Sequence, residues 1–516
     1  MLPLENITID EALMRSVTNY PDNQALSYGE RHWTYTEFNA EVDTIARKLL
    51  NMGVKHGTHV GIWCESEPNA VFSLFAVERI GAVAVMINTS LKEKEVASVL
   101  ERTDVEYLLI GDGFKDVDYR SIAKTFENTL MELKNVIYIG LSGDNFGFTV
   151  FDEIKEADDE SFESAKARVK PEDDGLILFT SGTTSQPRAV VGSQYSRANS
   201  GILQAHDLMT TPEDRFCVAM PIFHCFCLSV NVCAALFSGA CLCLPKSRHI
   251  KDLLDTAETE HCTVLSCVPA LYHAIIERGD LANHDISSLR TGIIGGSMYS
   301  SALFEEIEEA FGITLLSSLG QTEATAGITI ANFDDSLGER SCTVGHIMDH
   351  IEYRFVERFE LLVRGYVVMK EYYKDPEATA AAIDKDGWLH TGDTGFVNEN
   401  GNLILTGRIK ELIIRGGENI SPREIEAVFD DDDRVAECKA VGVYDSHYGE
   451  EVAFAVIRNR AVAPITKDEV LEKLRHELAN YKVPKYVVFF EDFPRTNTGK
   501  TRTTELKRKV EGYLGL

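Results

Sequence analysis

Two hydrophobic periods alternate along roughly the first three hundred residues. Residues 34–53, TYTEFNAEVDTIARKLLNMG, carry apolar side chains at helical spacing and predict a helix that stops at Gly53. Residues 59–64 (HVGIWC) and 82–87 (AVAVMI) are short apolar runs bounded by turns, the pattern of strands buried on both faces. Between them, residues 67–81 (EPNAVFSLFAVERIG) read as a helix. The same rhythm returns at 105–111, at 136–140 and through 175–300. Repeated in this way, it predicts parallel sheets covered by helices, an α/β architecture.

After about Thr325 the texture changes to short, charged strands such as EYRFVERFELLVRG, and a small β-rich section is expected over 325–407. Beyond Gly407, strand-like runs (VAECKAVGVY, EVAFAVIR, YVVFF) mix with helical ones (SPREIEAVFD, KDEVLEKLRHELANY), as in a compact α+β domain. No internal repeat or low-complexity tract interrupts the chain. Residues 216–244 contain no Lys, Arg, Asp or Glu and could span a bilayer on length alone. Pro221, His224, Asn231 and Gly239 interrupt that stretch, so it reads instead as a buried strand–helix–strand.

Composition adds three limits. With 516 residues, 44% of them hydrophobic, the chain exceeds what one core of about 250–300 residues can serve, so at least two domains are expected. The 51 basic and 81 acidic residues give a net charge of −30, which argues against a nucleic-acid surface. The start, MLPLENITIDEALMRSV, has no basic segment ahead of an apolar one, so no export signal is read. The 11 cysteines, eight of them between Cys217 and Cys267, are therefore expected as reduced thiols of a cytoplasmic enzyme. Cys225/Cys227 and Cys241/Cys243 lack the usual zinc spacing, and residues two apart share one side of a strand, so they are read as small buried hydrophobes.

Four segments carry chemistry. Phe179–Arg188 (FTSGTTSQPR) runs from an apolar strand into hydroxyls, a glycine and a cation, all suited to phosphate oxygens, although a polar surface turn has the same composition. Leu319–Glu323 (LGQTE) offers a hydroxyl and a carboxylate after a strand, for a phosphate and a magnesium ion or for a plain helix start. Residues 387–393 (GWLHTGD), followed by 405–410 (LTGRIK), place Asp393 and Arg408 where a ribose could be gripped, or simply form two capped turns. Residues 494–500 (PRTNTGK) end in a flexible glycine and a mobile cation, and would otherwise be a solvated tail.

In this order and separation, the segments resemble those of the AMP-forming adenylate synthetases, the superfamily of acyl-CoA synthetases, peptide-synthetase adenylation domains and firefly luciferase. The pattern is nearest to acid–CoA ligases and covers the chain from Thr34 to Lys500. The resemblance implies an N-terminal adenylating domain over 1–407, a hinge at 408–410 and a mobile C-terminal domain over 411–516. It implies ATP, Mg2+ and coenzyme A as cofactors, and a small carboxylic acid as substrate. By motif position, Thr180, Ser181, Gly182, Thr183, Thr184 and Arg188 hold phosphates. Gly296, Ser297, Leu319, Gly320 and Gln321 border the nucleotide, Thr322 meets its α-phosphate and Glu323 the magnesium. Asp393 and Arg408 take the ribose, and Lys500 bridges the attacking carboxylate and the α-phosphate. Lys410 marks the hinge, Lys246, Arg415, Gly416 and Gly417 lie on the coenzyme A path, and His224, Phe226 and Met298 border the acyl group.

The sequence also departs from that pattern. Arg188 stands for a lysine, Gln194 for a histidine, Leu319 for the tyrosine that stacks on adenine, and Ser297 for an alanine. The hairpin between Gly345 and Val363, with its Gly and Pro turn residues, is expected to be missing. These changes bear on ATP affinity more than on fold. No Asp follows His224 to pair an amino group, and Cys225, Phe226, Cys227 and Leu228 are apolar or soft, so a neutral hydrophobic acyl or aryl acid is favoured. Free coenzyme A is the expected thiol. Alternatives are a ligase that loads a separate carrier protein and a non-catalytic adenylate-binding regulator. A homodimer stays open, and neither nucleic acid nor a membrane span is expected.

Overall fold

The computed structural model describes residues 2–115, 117–126, 129–180, 187–325, 327–415, 418–445, 448–478, 482–496 and 499–516. The predicted helix forms over Tyr35–Asn51. Thr34 caps it: its Oγ1 accepts from Glu37 N at 3.2 Å, and Glu37 Oε2 accepts from Thr34 N at 2.8 Å. The helix stops two residues before Gly53, which turns the chain at φ +98°.

The predicted strands His59–Trp63, Val83–Met86, Tyr107–Ile110 and Asn135–Tyr138 pair in parallel. They belong to a sheet of eight described strands that also takes in Asp174–Phe179, Ala189–Ser193 and Glu371–Tyr372. Alternation along the strands gives each face a core. Ala84 and Met86 join the main core, whereas Val83 and Val85 pack with Trp63 and Leu108 on the other side. A second sheet of seven described strands includes Thr314–Ser318, Thr291–Gly295, Val264–Leu265, Arg215–Cys217 and Cys241–Leu244. Both sheets contribute to the main core, together with the helices Pro68–Arg79 and Gln194–Asp207. Within it, the fully buried Glu78 pairs with Arg197.

The β-rich section is not a separate body. Leu361, Val363, Leu389 and Leu403 lie in the main core, and Tyr372 pairs with Val190 at the edge of the eight-stranded sheet. Its expected missing hairpin is present. Strands Ile351–Phe355 and Glu360–Gly365 run antiparallel, from Ile351 opposite Gly365 to Phe355 opposite Leu361. Their turn has neither Gly nor Pro; Phe359, 71% exposed, takes its left-handed position at φ +58°.

The uncharged stretch also differs in detail from its expectation. Its first strand is only Arg215–Cys217, and the helix begins as a π-helix over Cys227–Cys233 before continuing to Ser238. Cys241 and Cys243 share a strand as read, but Cys225 and Cys227 sit at the helix entrance, not on a strand. Among the described residues no helix is long and apolar enough to cross a membrane.

Beyond the turn Ile409–Glu411 the chain forms its own five-stranded sheet. One face packs Ile413, Ile420, Phe429, Val470 and Leu474, and the other Val441, Val443, Leu506 and Val510. These cores are separate from the N-terminal one.

Candidate active site

The first piece is a closed loop. Strands Asp174–Phe179 and Ala189–Ser193 pair antiparallel, ending with Phe179 opposite Ala189. One residue further, Thr180 N donates to the Arg188 carbonyl at 3.0 Å, and Arg188 N donates to Thr180 Oγ1 at 3.1 Å. Thr180 and Arg188 thus pin the two ends of the loop expected to face phosphates. Ser181, Gly182, Thr183, Thr184 and Ser185 lie outside the described residues. The Arg188 guanidinium stands 5.0 Å from the centre of the Tyr372 ring.

The second piece leaves the carboxyl edge of the seven-stranded sheet, where open α/β sheets hold their ligands. Gly295 pairs with Ser318, so Gly296-Ser297 and Leu319-Gly320 emerge side by side. Gly296 turns at φ +83°, a conformation that favours glycine, and Ser297 and Met298 are exposed. Leu319 is buried, and its N–H donates to Thr329 Oγ1 at 2.9 Å. Gln321 Nε2 is buried without a partner. A tight turn over Thr322–Ala324 then ends at Thr325, at φ +49°. Thr325 is held from three sides: its Oγ1 donates to the Val367 carbonyl at 2.7 Å, and its carbonyl accepts from Ser229 at 2.9 Å and Ser200 at 3.2 Å. This anchoring sets Thr322 Oγ1 3.7 Å from Cys225 Sγ, and Glu323 Oε1 accepts from the Tyr372 hydroxyl at 2.7 Å. A cavity of about 20 Å³, room for roughly one water, lies between Thr322, Cys225 and Arg197.

The third piece is an ion pair fixed by strand register. Asp393 lies opposite Arg408 on paired strands, and Arg408 Nε donates to Asp393 Oδ1 at 2.7 Å. Asp393 is 3% exposed, and its Oδ2 is buried with no partner. Burial pushes its carboxyl upward against the pull of Arg408. An unsatisfied buried acceptor is costly, and a pair of ribose hydroxyls would satisfy it.

Lys500 completes the cluster from the C-terminal domain. It is half-buried, and burial followed by the Arg408 charge lowers its pKa, while Cys225 and Asp393 oppose that shift. Across the cleft His224 feels burial first and then the Lys500 and Arg248 charges, which depress its pKa to about 4. Its Nε2 is buried and unpartnered. The loop turns at Gly499, whose φ of +82° favours glycine; a Cβ there would meet Ala270 Cβ at 3.7 Å, an ordinary contact, so the backbone conformation and not crowding calls for glycine.

The other expected residues have their own neighbours. Phe226 is half-buried against the main core, and Met298 is 45% exposed. Lys246 is exposed and lays its side chain over Gly29. Arg415 is held within the C-terminal domain, its Nε donating to Glu451 at 2.6 Å and its guanidinium 4.1 Å from the Tyr448 ring centre. Gly416 and Gly417 lie outside the described residues, and Lys410 sits in the turn Ile409–Glu411. Gln194 is not a nucleotide contact. It is fully buried, accepting from Ile9 N at 3.0 Å and donating to the Glu78 carbonyl at 3.1 Å, so its departure from the pattern concerns core assembly. Tyr372 was not legible as a site residue, because its partner Glu323 is 49 positions away and no spacing links them.

Residues 13–373 match the AMP-binding enzyme family, and residues 424–500 match the AMP-binding enzyme C-terminal domain. The chain belongs to the AMP-binding enzyme family. A putative acyl-CoA synthetase, YngI of Bacillus subtilis, is 34% identical across 99% of this chain and 98% of its own. A 3-[(3aS,4S,7aS)-7a-methyl-1,5-dioxo-octahydro-1H-inden-4-yl]propanoyl:CoA ligase of Rhodococcus jostii is 32% identical across 97% and 98%. In fold, this AMP-binding enzyme is similar to the anthranilate CoA ligase AuaEII solved with anthranoyl-AMP, with TM-score 0.86, 22% identity and 100% and 99% of the two chains covered. Among the described residues no group of three or more His, Cys, Asp or Glu could hold a metal ion by itself. The one carboxylate of the turn Thr322–Ala324, Glu323, fits a magnesium ion that takes its other ligands from substrate phosphates and water.

Proposed function

We propose that this AMP-binding enzyme joins a neutral hydrophobic acyl or aryl acid to coenzyme A, through an acyl-adenylate formed in the cleft around Lys500. The reaction class, an AMP-forming acid–CoA ligase using ATP and coenzyme A, follows from its family and full-length relatives. One observation carries the assignment of residues: Lys500 lies within electrostatic reach of the Asp393–Arg408 pair, whose Asp393 Oδ2 lacks a partner.

In the first half-reaction a carboxylate oxygen of the acid attacks the α-phosphorus of ATP. The new O–P bond forms as the bond to the bridging oxygen breaks and pyrophosphate leaves. Asp393 and Arg408 hold the ribose, Thr180 and Arg188 frame the loop that faces the phosphates, and Thr322 positions the α-phosphate. Lys500 offsets negative charge shared by the attacking oxygen and the α-phosphate, so positioning and charge stabilisation do most of the work. Magnesium, held by Glu323, would neutralise charge on the phosphates when bound. In the second half-reaction the thiol sulfur attacks the acyl carbon, the bond to AMP breaks, and the thiol proton passes to solvent. For this step we place a hinge at 408–410, turning residues 411–516 so that Lys500 leaves and Arg415, Gly416 and Gly417 approach Lys246.

His224, neutral because of its depressed pKa, and the soft side chains of Cys225 and Phe226 support an uncharged acyl group. The cytoplasm is the proposed compartment, on the ground that all 11 cysteines are free.

The test is acid-dependent exchange of labelled pyrophosphate into ATP across a panel of neutral acids, followed by coenzyme A-dependent release of AMP. Exchange with at least one acid is expected, and Lys500→Ala lowers it by about a hundredfold or more. Silence across the panel while ATP binds would favour a non-catalytic regulator. Thioester formed on a purified carrier protein in preference to coenzyme A would favour the carrier-loading alternative.

A further inference from the structure

Tyr372 joins two parts of the phosphate site that lie far apart in sequence. It sits in the short strand Glu371–Tyr372, opposite Val190, two residues beyond Arg188. The residue is 4% exposed and packs with Val190 and Met369, so its ring has little freedom. Its N–H donates to Thr379 Oγ1 at 2.9 Å, which fixes the backbone as well. The hydroxyl donates to Glu323 Oε1 at 2.7 Å, and the ring face carries the Arg188 guanidinium at 5.0 Å. The Glu323 carbonyl accepts from Met369 N at 2.9 Å, so strand and turn are laced together twice.

Resting on the nucleotide reading above, we infer that Tyr372 is a positioning residue for the metal–phosphate end of the site. By holding Glu323 Oε1, the hydroxyl freezes the carboxylate in one rotamer and leaves its second oxygen for magnesium. By stacking under Arg188, the ring keeps the loop's cation near the same phosphates. Partners that orient a metal-binding carboxylate commonly change affinity by about ten- to a hundredfold when removed. The two duties are separable, because phenylalanine keeps the ring and loses only the hydroxyl.

The experiment is calorimetric titration of the full chain with ATP, once with magnesium and once with chelator, which needs no knowledge of the acid. Tyr372→Phe should weaken binding of magnesium–ATP about tenfold while leaving metal-free ATP within about twofold. Tyr372→Leu should weaken both, since Arg188 also loses its ring. In a Glu323→Ala background the Tyr372→Phe effect should vanish, which a merely structural role would not produce. Equal binding of magnesium–ATP by Tyr372→Phe and the native chain, or a loss that persists in the Glu323→Ala background, overturns this proposal alone. Failure of the native chain to bind ATP at all overturns the nucleotide reading and this proposal with it.

Discussion

Asp393 shows how one atom can carry a functional reading. Its Oδ1 is taken by Arg408 and its Oδ2 is buried with nothing to accept from. Asp393→Asn removes the charge but keeps the shape, and should raise the KM for ATP about tenfold or more, measured by initial rates once an accepted acid is known. His224 predicts a pH effect. Its pKa in the folded chain, about 4, lies below the ordinary value of 6.5. Between those values the unfolded chain binds the proton and the folded one does not, so stability rises with pH across that window. The contribution is complete above about pH 6.5 and is lost on acidification towards pH 4, at most about 3 kcal/mol. His224→Leu should therefore show a smaller drop in urea midpoint between pH 7 and pH 4.5 than the native chain. Single residues were also where reading the sequence went furthest. Lys500, Asp393, Arg408, Thr322 and Glu323 sit in short segments whose residue types suggested the chemistry proposed for them. Tyr372 and Gln194 do not, because their roles depend on partners brought close only by folding.

Periodicity located the elements of the N-terminal sheets well, because strands buried on both faces and amphipathic helices have distinct spacing. It failed where local rules are broken. The strands of the hairpin Ile351–Gly365 were legible, but not the turn joining them, because its left-handed residue is Phe359, in a backbone region that disfavours bulky side chains. Phe359→Gly should relieve that strain, stabilising the chain by about 1 kcal/mol with little loss of packing, given that Phe359 is 71% exposed. A lower denaturation midpoint in the variant would contradict this account. The π-helix Cys227–Cys233 was unreadable for another reason: a wider helical turn leaves no signature in an uncharged, mostly apolar run.

At the level of the whole molecule, the decisive contact is the seam where the C-terminal loop reaches the N-terminal domain. Gly499 faces Ala270 with room for little more than a methyl group. Ala270→Trp should wedge the loop outward and lower pyrophosphate exchange about tenfold or more, because a displacement of about 1 Å is costly in a positioned reaction. Thioester formation from a supplied acyl-adenylate should persist. Equal loss of both activities would argue that the wedge damages the fold instead. The order of the motifs implied the two-domain arrangement, but not which half-reaction it is posed for; under the proposed function, Lys500 within electrostatic reach of Asp393 corresponds to the first.

The clustered thiols have a practical consequence for handling the protein. Of the 11 free cysteines only Cys342 is exposed, and most of the others line the N-terminal interior. A maleimide added to native protein should tag that sulfur quickly, the half-buried Cys225 and Cys438 more slowly, and the eight buried thiols only as the interior opens. Mass spectra taken over time would then give a clock for breathing of the large domain. The same arithmetic warns that chains unfolded in air will cross-link before they refold.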